Sequence, residues 1–148
     1  MTDRAVAAYR EASQAGDIDA LVQTLAPDVR LISPVSDRLT FRGRHDVGVV
    51  LEAVYAGLRE WRWHTALGAG DRWVLVGEGF IGPLRIGDAM TVDVDPEGGI
   101  RTLRPHLRPL PALVLFVLRL TVVLSRHPGT VGRALTASAA SPSPRVGE

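Results

Sequence analysis

The chain has 148 residues, 46% of them hydrophobic, which suits one globular domain with enough apolar side chain for a sizeable core. Its 17 basic residues are all Arg, the formal net charge is +1 and there is no Cys, which argues against a nucleic-acid surface and excludes disulfides and thiolate metal sites. The charge is uneven: residues 1–100 carry 10 Arg and 15 acids, whereas residues 101–148 carry 7 Arg and one acid.

The first predicted element is a helix from Asp3 to Ala15, with Val6, Tyr9, Arg10 and Ser13 on one side of an Ala-rich segment. Gly16 ends it. Asp17 can cap a second helix running through Ala26, in which Ile18, Leu21, Val22 and Leu25 form an apolar face. Pro27 stops that helix, and Val29, Leu31 and Ser33 alternate with Arg30, Ile32 and Pro34 as a first strand. A short extended piece at Phe41–Gly43 leads into a third helix over about 44–58, with Val47, Val50, Leu51, Val54 and Leu58 inward.

From residue 59 the hydrophobic period changes from 3.6 to 2. Glu60–Leu67 alternates aromatic with polar residues, Gly68–Asp71 turns, and Trp73–Ile81 forms a further strand in which Gly77 and Gly79 mark a bulge, a bend or the close approach of another group to the sheet, with a slight preference for leaving space in a cavity. After Gly82-Pro83, Met90, Val92 and Val94 alternate into Asp95-Pro-Glu-Gly-Gly99, and Ile100 and Leu103 return, so a third hairpin follows two others. Consecutive hairpins preceded by helices predict a strongly curved antiparallel sheet in an α+β fold.

Leu110–Leu124 is the most apolar segment. As a helix it would span about 22 Å, short of the ~30 Å hydrocarbon core, and Arg119 lies within it, so it is not a membrane span. Three occupants are open for its surface: the open end of the domain or a partner subunit, an obligate dimer interface alone, or a membrane surface with Arg108, Arg119 and Arg126 at the headgroups. The last of these is disfavoured by how uniformly apolar the helix is. Residues 127–148, rich in Pro, Ser, Ala and Gly, predict a mobile tail after a single domain over 1–126. The charged N-terminal residues lack a signal-like apolar run, so the expected setting is cytoplasmic.

The order of two helices, a strand ending Leu31-Ile-Ser-Pro-Val35, the Phe-Arg-Gly-Arg-His-Asp46 lead-in to a third helix, and a hairpin closing Glu97-Gly-Gly-Ile-Arg-Thr-Leu-Arg104 resembles the nuclear-transport-factor-2-like fold, within it the SnoaL-like branch. The resemblance covers about residues 3–108. It implies a cone-shaped cystatin-like α+β barrel whose sheet wraps around the helices, a pocket open at one end, and commonly a homodimer. The superfamily includes ketosteroid isomerases, polyketide cyclases, dehydratases, epoxide hydrolases and plain binding domains, so the fold does not choose among them.

Residue by residue, the resemblance carries over little known chemistry. Where the isomerases place a carboxylate base before the Pro ending the first strand, this chain has Ser33. Their oxyanion-holding Asp falls at Met90, with Asp88 two residues back on the same pleat, and the cyclases' Asp on the final strand falls at Pro105.

Three residues are candidate catalysts. Asp88 shares the face of Met90, Val92 and Val94; burial there would raise its pKa and suit it to acid/base work, the alternative being an exposed strand start. His64 is a candidate because imidazole is a common acid/base side chain, although it points away from the interior if Trp61 and Trp63 point in, unless a bulge reverses it. Tyr9 faces the side where the family often places a phenol donor. Asp93 and Asp95 have the outward phase and are expected in solvent or paired with Arg101 or Arg104. Trp61, Trp63 and Trp73 with Leu75, Met90, Val92 and Leu103 would line an apolar cavity, beside Ser33 and Pro105, or would form the core instead.

No His pairing at metal spacing and no nucleotide-binding motif is present, so no cofactor and no metal are expected. Two functions follow as expectations. One is a cofactor-independent acid/base enzyme of cyclase, isomerase, dehydratase or epoxide hydrolase type, acting on a hydrophobic small molecule. The other is a non-catalytic binding or dimerisation module.

Overall fold

A computed structural model describes residues 2–140. Helices α1 (Thr2–Ala15) and α2 (Ile18–Gln23) precede strands β1 (Leu25–Ile32) and β2 (Thr40–Arg42) and helix α3 (Gly43–Gly57). Strands β3 (Arg59–Ala69), β4 (Arg72–Ile81), β5 (Leu84–Val94), β6 (Ile100–Arg104) and β7 (Leu107–Arg108) follow, and helices α4 (Leu110–Leu124) and α5 (Pro128–Ala140) end the described chain. The sheet is curved and unclosed, in the order β2-β1-β6-β5-β4-β3, with β7 also paired to β5. All pairs are antiparallel except β1 with β6, which brings the end of β1 beside the last long strand. The expected α+β architecture is therefore present.

Local chemistry explains most boundaries. Asp17 caps α2 by accepting the Ala20 N–H at 3.0 Å. The helix ends three residues before the predicted Ala26, because the Thr24 hydroxyl takes the Leu21 carbonyl at 2.7 Å and the Thr24 carbonyl accepts from Ile100 N–H at 2.8 Å. Leu25 matches the helical spacing of Leu21, but pairing with β6 recruits it into β1. The β5–β6 turn closes on Asp95, whose carboxylate accepts the Gly99 N–H at 2.7 Å, and Gly98 supplies the positive φ of 85°.

The pleat of β5 follows the predicted phase: Ile86, Asp88, Met90, Val92 and Val94 are all buried. Asp93 faces outward as expected, yet its partner is Arg72 on β4, opposite it in register at 2.9 Å, and Arg104 instead approaches Asp37 at 4.0 Å. Gly77 and Gly79 do not open space. A Cβ on Gly77 would stand 2.6 Å from the Trp63 ring and 2.9 Å from the Arg62 carbonyl, so these glycines let Trp61 and Trp63 lie against β4.

The segment after α4 is also different from the reading of residues 127–148 as a tail. Residues 128–140 form α5, with Thr130 and Ala134 buried; residues 141–148 lie outside the described residues. Arg133 makes a two-pronged ion pair with buried Asp46 at 2.7 and 2.8 Å, and the Thr130 hydroxyl donates to the same carboxylate at 3.2 Å. Composition favoured a loose segment, but one buried acid at the start of α3 holds this one in place. Among the described residues no single helix is long and apolar enough to cross a membrane, and α4 meets α5 at a 114° bend.

Candidate functional site

A largely apolar cavity of about 210 Å³ lies between the sheet, α1, α3 and α4. Its floor includes Leu31, Ser33, Trp61, Asp88 and Met90; α3 contributes Val50, Leu51, Val54 and Tyr55; Tyr9 reaches in from α1. The roof is the inner face of α4, where Phe116, Val117, Leu120, Thr121 and Leu124 line the space. Of the occupants open for that helix, covering the end of the domain is what one face of it does. The volume is below the ~300–1,000 Å³ common for drug-sized ligands, so the enclosed part suits a small molecule.

Among the described residues Asp88 is the only carboxylate lining this cavity, and it is 7% exposed. Its position comes from an interruption in the strand that pairs with β5. Pro105 has no N–H to offer the ladder, and β6 ends at Arg104 before pairing resumes at Leu107. In that gap the His106 N–H turns to the Asp88 carboxylate and donates to it at 2.8 Å, while the His106 carbonyl accepts from Ala89 N–H. Burial pushes the Asp88 carboxyl up to about 7, against the smaller opposing pull of the His106 N–H. The carboxyl thus changes protonation near neutrality.

Tyr9 is fully buried and its hydroxyl lies 2.9 Å from that of Tyr55, either being able to donate. Burial drives both phenols upward, and the Asp88 charge adds to this in each case. Both therefore stay protonated, and while one donates to the other, a single O–H of the pair is left to donate into the cavity. Trp61 lines the cavity as well, and its buried indole N–H has no acceptor among the described residues.

The structure sorts the predicted residues clearly. It brings Asp88, Tyr9, Ser33, Trp61, Met90 and Pro105 together around one cavity. Ser33 sits at the end of β1, where its hydroxyl accepts from Val35 N–H at 3.2 Å. Trp63, Leu75, Val92 and Leu103 are buried core instead. Trp63 is held there by polar bonds: its indole N–H donates to Ser13 at 2.8 Å, its backbone N–H to Gln14 at 2.7 Å, and its carbonyl accepts from Arg10 at 3.2 Å. Trp73 lies outside the cavity, its indole bonded to the Gly70 carbonyl at 3.2 Å beside the turn.

His64 is exposed and meets only the neighbouring Thr65 hydroxyl at 2.9 Å, so it is not placed to act in the cavity. A register shift does occur between Trp63 and Thr65, but it does not turn His64 inward. His106 meets the site through its backbone, with its ring on the surface. Tyr55 was missed, although it stands four residues after Leu51 and so continues the inner stripe of α3. No group of three or more metal-binding side chains occurs among the described residues.

Comparison with known proteins agrees with this geometry at the level of fold. An uncharacterized protein from Silicibacter pomeroyi with a cystatin-like fold superposes with a TM-score of 0.82 at 23% identity, covering 88% of this chain and 93% of that one. A steroid delta-isomerase from Pseudomonas aeruginosa gives 0.78 at 19% identity, covering 86% and 94%. A candidate SnoaL-like polyketide cyclase from Shewanella denitrificans gives 0.62 at 14%, covering 79% and 96%. No curated protein matches the sequence. The SnoaL-like domain family matches residues 6–101, which run from α1 to the start of β6, and the chain therefore belongs to the SnoaL-like domain family.

Proposed function

We propose that the protein is a cofactor-independent enzyme that moves a proton on a small, apolar, oxygen-bearing metabolite, with Asp88 as the acid/base. The observation that carries this reading is a lone buried carboxyl in an apolar cavity, held by the His106 N–H and titrating at about 7. A group with that pKa is useful in both directions near neutral pH. Tyr9 and Tyr55 supply neutral hydroxyls and Trp61 an unpaired N–H, so the substrate oxygen is bound by donors while Asp88 takes or returns the proton. The steroid isomerase and candidate polyketide cyclase among the structural relatives support the class of chemistry, without specifying the substrate.

The test is solvent-deuterium exchange into a panel of small cyclic ketones and enones, followed by proton NMR, with binding read separately by Trp fluorescence. Exchange at the carbon beside the carbonyl should rise with pH through about 7, as the ionised carboxylate accumulates. Asp88→Asn should retain binding and lose roughly 10²–10⁴ of the exchange rate. Wild-type binding without exchange would favour the second reading, a non-catalytic binding module. That reading rests on Ser33, which stands where the related isomerases carry their base and gives the cavity no second carboxylate.

A further inference from the structure

Helix α4 has two apolar faces and the domain covers only one. Ala112, Phe116 and Leu124 are buried, Leu120 is half-buried, and they recur every four residues on the inner side. Leu110, Val114, Leu118 and Val122 recur with the same step half a turn away and are 71%, 49%, 61% and 62% exposed. An apolar groove continues from this stripe to Ala53, Ala56, Gly57 and Ile81.

Beside the groove, the β4–β5 turn gathers three exposed guanidinium groups. Arg59 donates to the Gly82 carbonyl at 2.7 Å, and Arg119 lies against Gly82. Arg59 and Arg85 both sit over the Phe80 ring, at 5.7 and 5.6 Å. None of the three has a carboxylate partner among the ion pairs of the described residues. Arg126 extends the outer stripe one step past the end of α4, and the sequence has no acid between Glu97 and Glu148.

We infer that this face docks on an anionic phospholipid surface, with the Leu110–Val122 stripe at the acyl boundary and Arg59, Arg85, Arg119 and Arg126 at the phosphates. Arg side chains can lie along apolar surface and keep the charged head at the headgroup level. A second copy fits the same face poorly. A two-fold, antiparallel contact between α4 helices would bring Arg126 of one copy toward Arg108 of the other at both ends, and the segment itself carries no acid to offset them. One face of a helix ~22 Å long also falls far short of the ~800 Å² per partner of a stable interface. Since α4 also roofs the cavity, docking would set the roof against the bilayer and present the site to apolar molecules dissolved there. That last clause rests on the proposed function; the docking itself does not.

The test is co-sedimentation of the full chain with vesicles of phosphatidylcholine alone or mixed with phosphatidylglycerol, at low and high salt. Binding should be at least tenfold stronger to the anionic vesicles and should be released by salt. Leu118→Ser/Val122→Ser and, separately, Arg85→Gln/Arg119→Gln should each weaken it at least tenfold with thermal unfolding unchanged. Asp88→Asn should bind vesicles as wild type, which separates this proposal from the catalytic one. Equal binding to both vesicle types, or variants that bind as wild type, would overturn it. So would a dimer in sedimentation velocity that the Leu118/Val122 variant dissociates, accompanied by no vesicle binding; a second copy would then be the occupant.

Discussion

Asp88 lies at the junction of three effects: a strand phase, a proline and an apolar cavity. The phase puts it inward with Met90 and Val92, Pro105 frees the His106 N–H to meet it, and the cavity withholds water from it. Burying a carboxyl in this way has a measurable cost. The unfolded residue titrates near 3.8 and the folded one near 7, so between those values the folded chain holds the extra proton and stability falls as pH rises. The contribution is fully present below 3.8 and lost above about 7. Relative to Asp88→Asn, whose amide oxygen can still accept from His106, wild type should lose up to ~4 kcal/mol between pH 4 and pH 8, read from urea midpoints at each pH.

The other site residues were legible to different degrees. Tyr9 is a candidate through the family resemblance, which places a phenol donor on that side of α1, whereas Tyr55 lies on the regular inner stripe of α3 with no such pointer. The Trp residues are not separable by pattern: Trp61 and Trp63 share a strand and a phase, and both are buried, but Trp61 lines the cavity while bonds to Ser13, Gln14 and Arg10 hold Trp63 in the core. His64 followed its phase outward, the reading that the alternation favoured.

Among the elements, β4 is the one whose glycines leave two readings open in the sequence, a close approach and a cavity, and the structure takes the first. Gly77 and Gly79 signalled missing side chains, which is equally a cavity or a close approach, and the aromatic rings of β3 take up the room. Gly77→Ala would set a methyl 2.6 Å from the Trp63 ring and 2.9 Å from a backbone carbonyl. It should destabilise the fold by about 1–3 kcal/mol, measured by chemical denaturation. Helix α4 was bounded correctly from composition, while its packing was open among three occupants, because an all-apolar helix carries no mark of which side is covered. Phe116→Ala, which removes a roof side chain, should cost about 3–5 kcal/mol and admit bulkier ligands, as read by calorimetry and by Trp fluorescence titration.

At the scale of the whole molecule, the C-terminal helices close the domain. Asp46 and Arg133 are 87 residues apart, and their pairing holds α5 to the start of α3. The Arg133 guanidinium draws the Asp46 carboxyl below its ordinary range, so the stability it adds is present above about pH 4 and is lost as pH falls through the lowered value. Arg133→Ala should weaken the fold by roughly 1–3 kcal/mol at pH 7, leaving a buried carboxylate with the Thr130 hydroxyl but no counter-charge. It should also increase amide exchange in α5 ahead of the sheet, observable by hydrogen–deuterium exchange.

The sequence alone determined the α+β class, the three hairpins, the span of α4, the inward phase of β5 and the family resemblance, because each depends on neighbours a few residues apart. Periodicity and turn chemistry are local, and a single chain displays them directly. Only the tertiary structure decided that Asp88 meets the His106 backbone, that Tyr9 meets Tyr55 across 46 residues, that Trp63 is core, and that residues 128–140 are a docked helix. Those outcomes depend on partners distant in sequence, and on burial that changes a carboxyl from an exposed charge into a group poised near neutral pH.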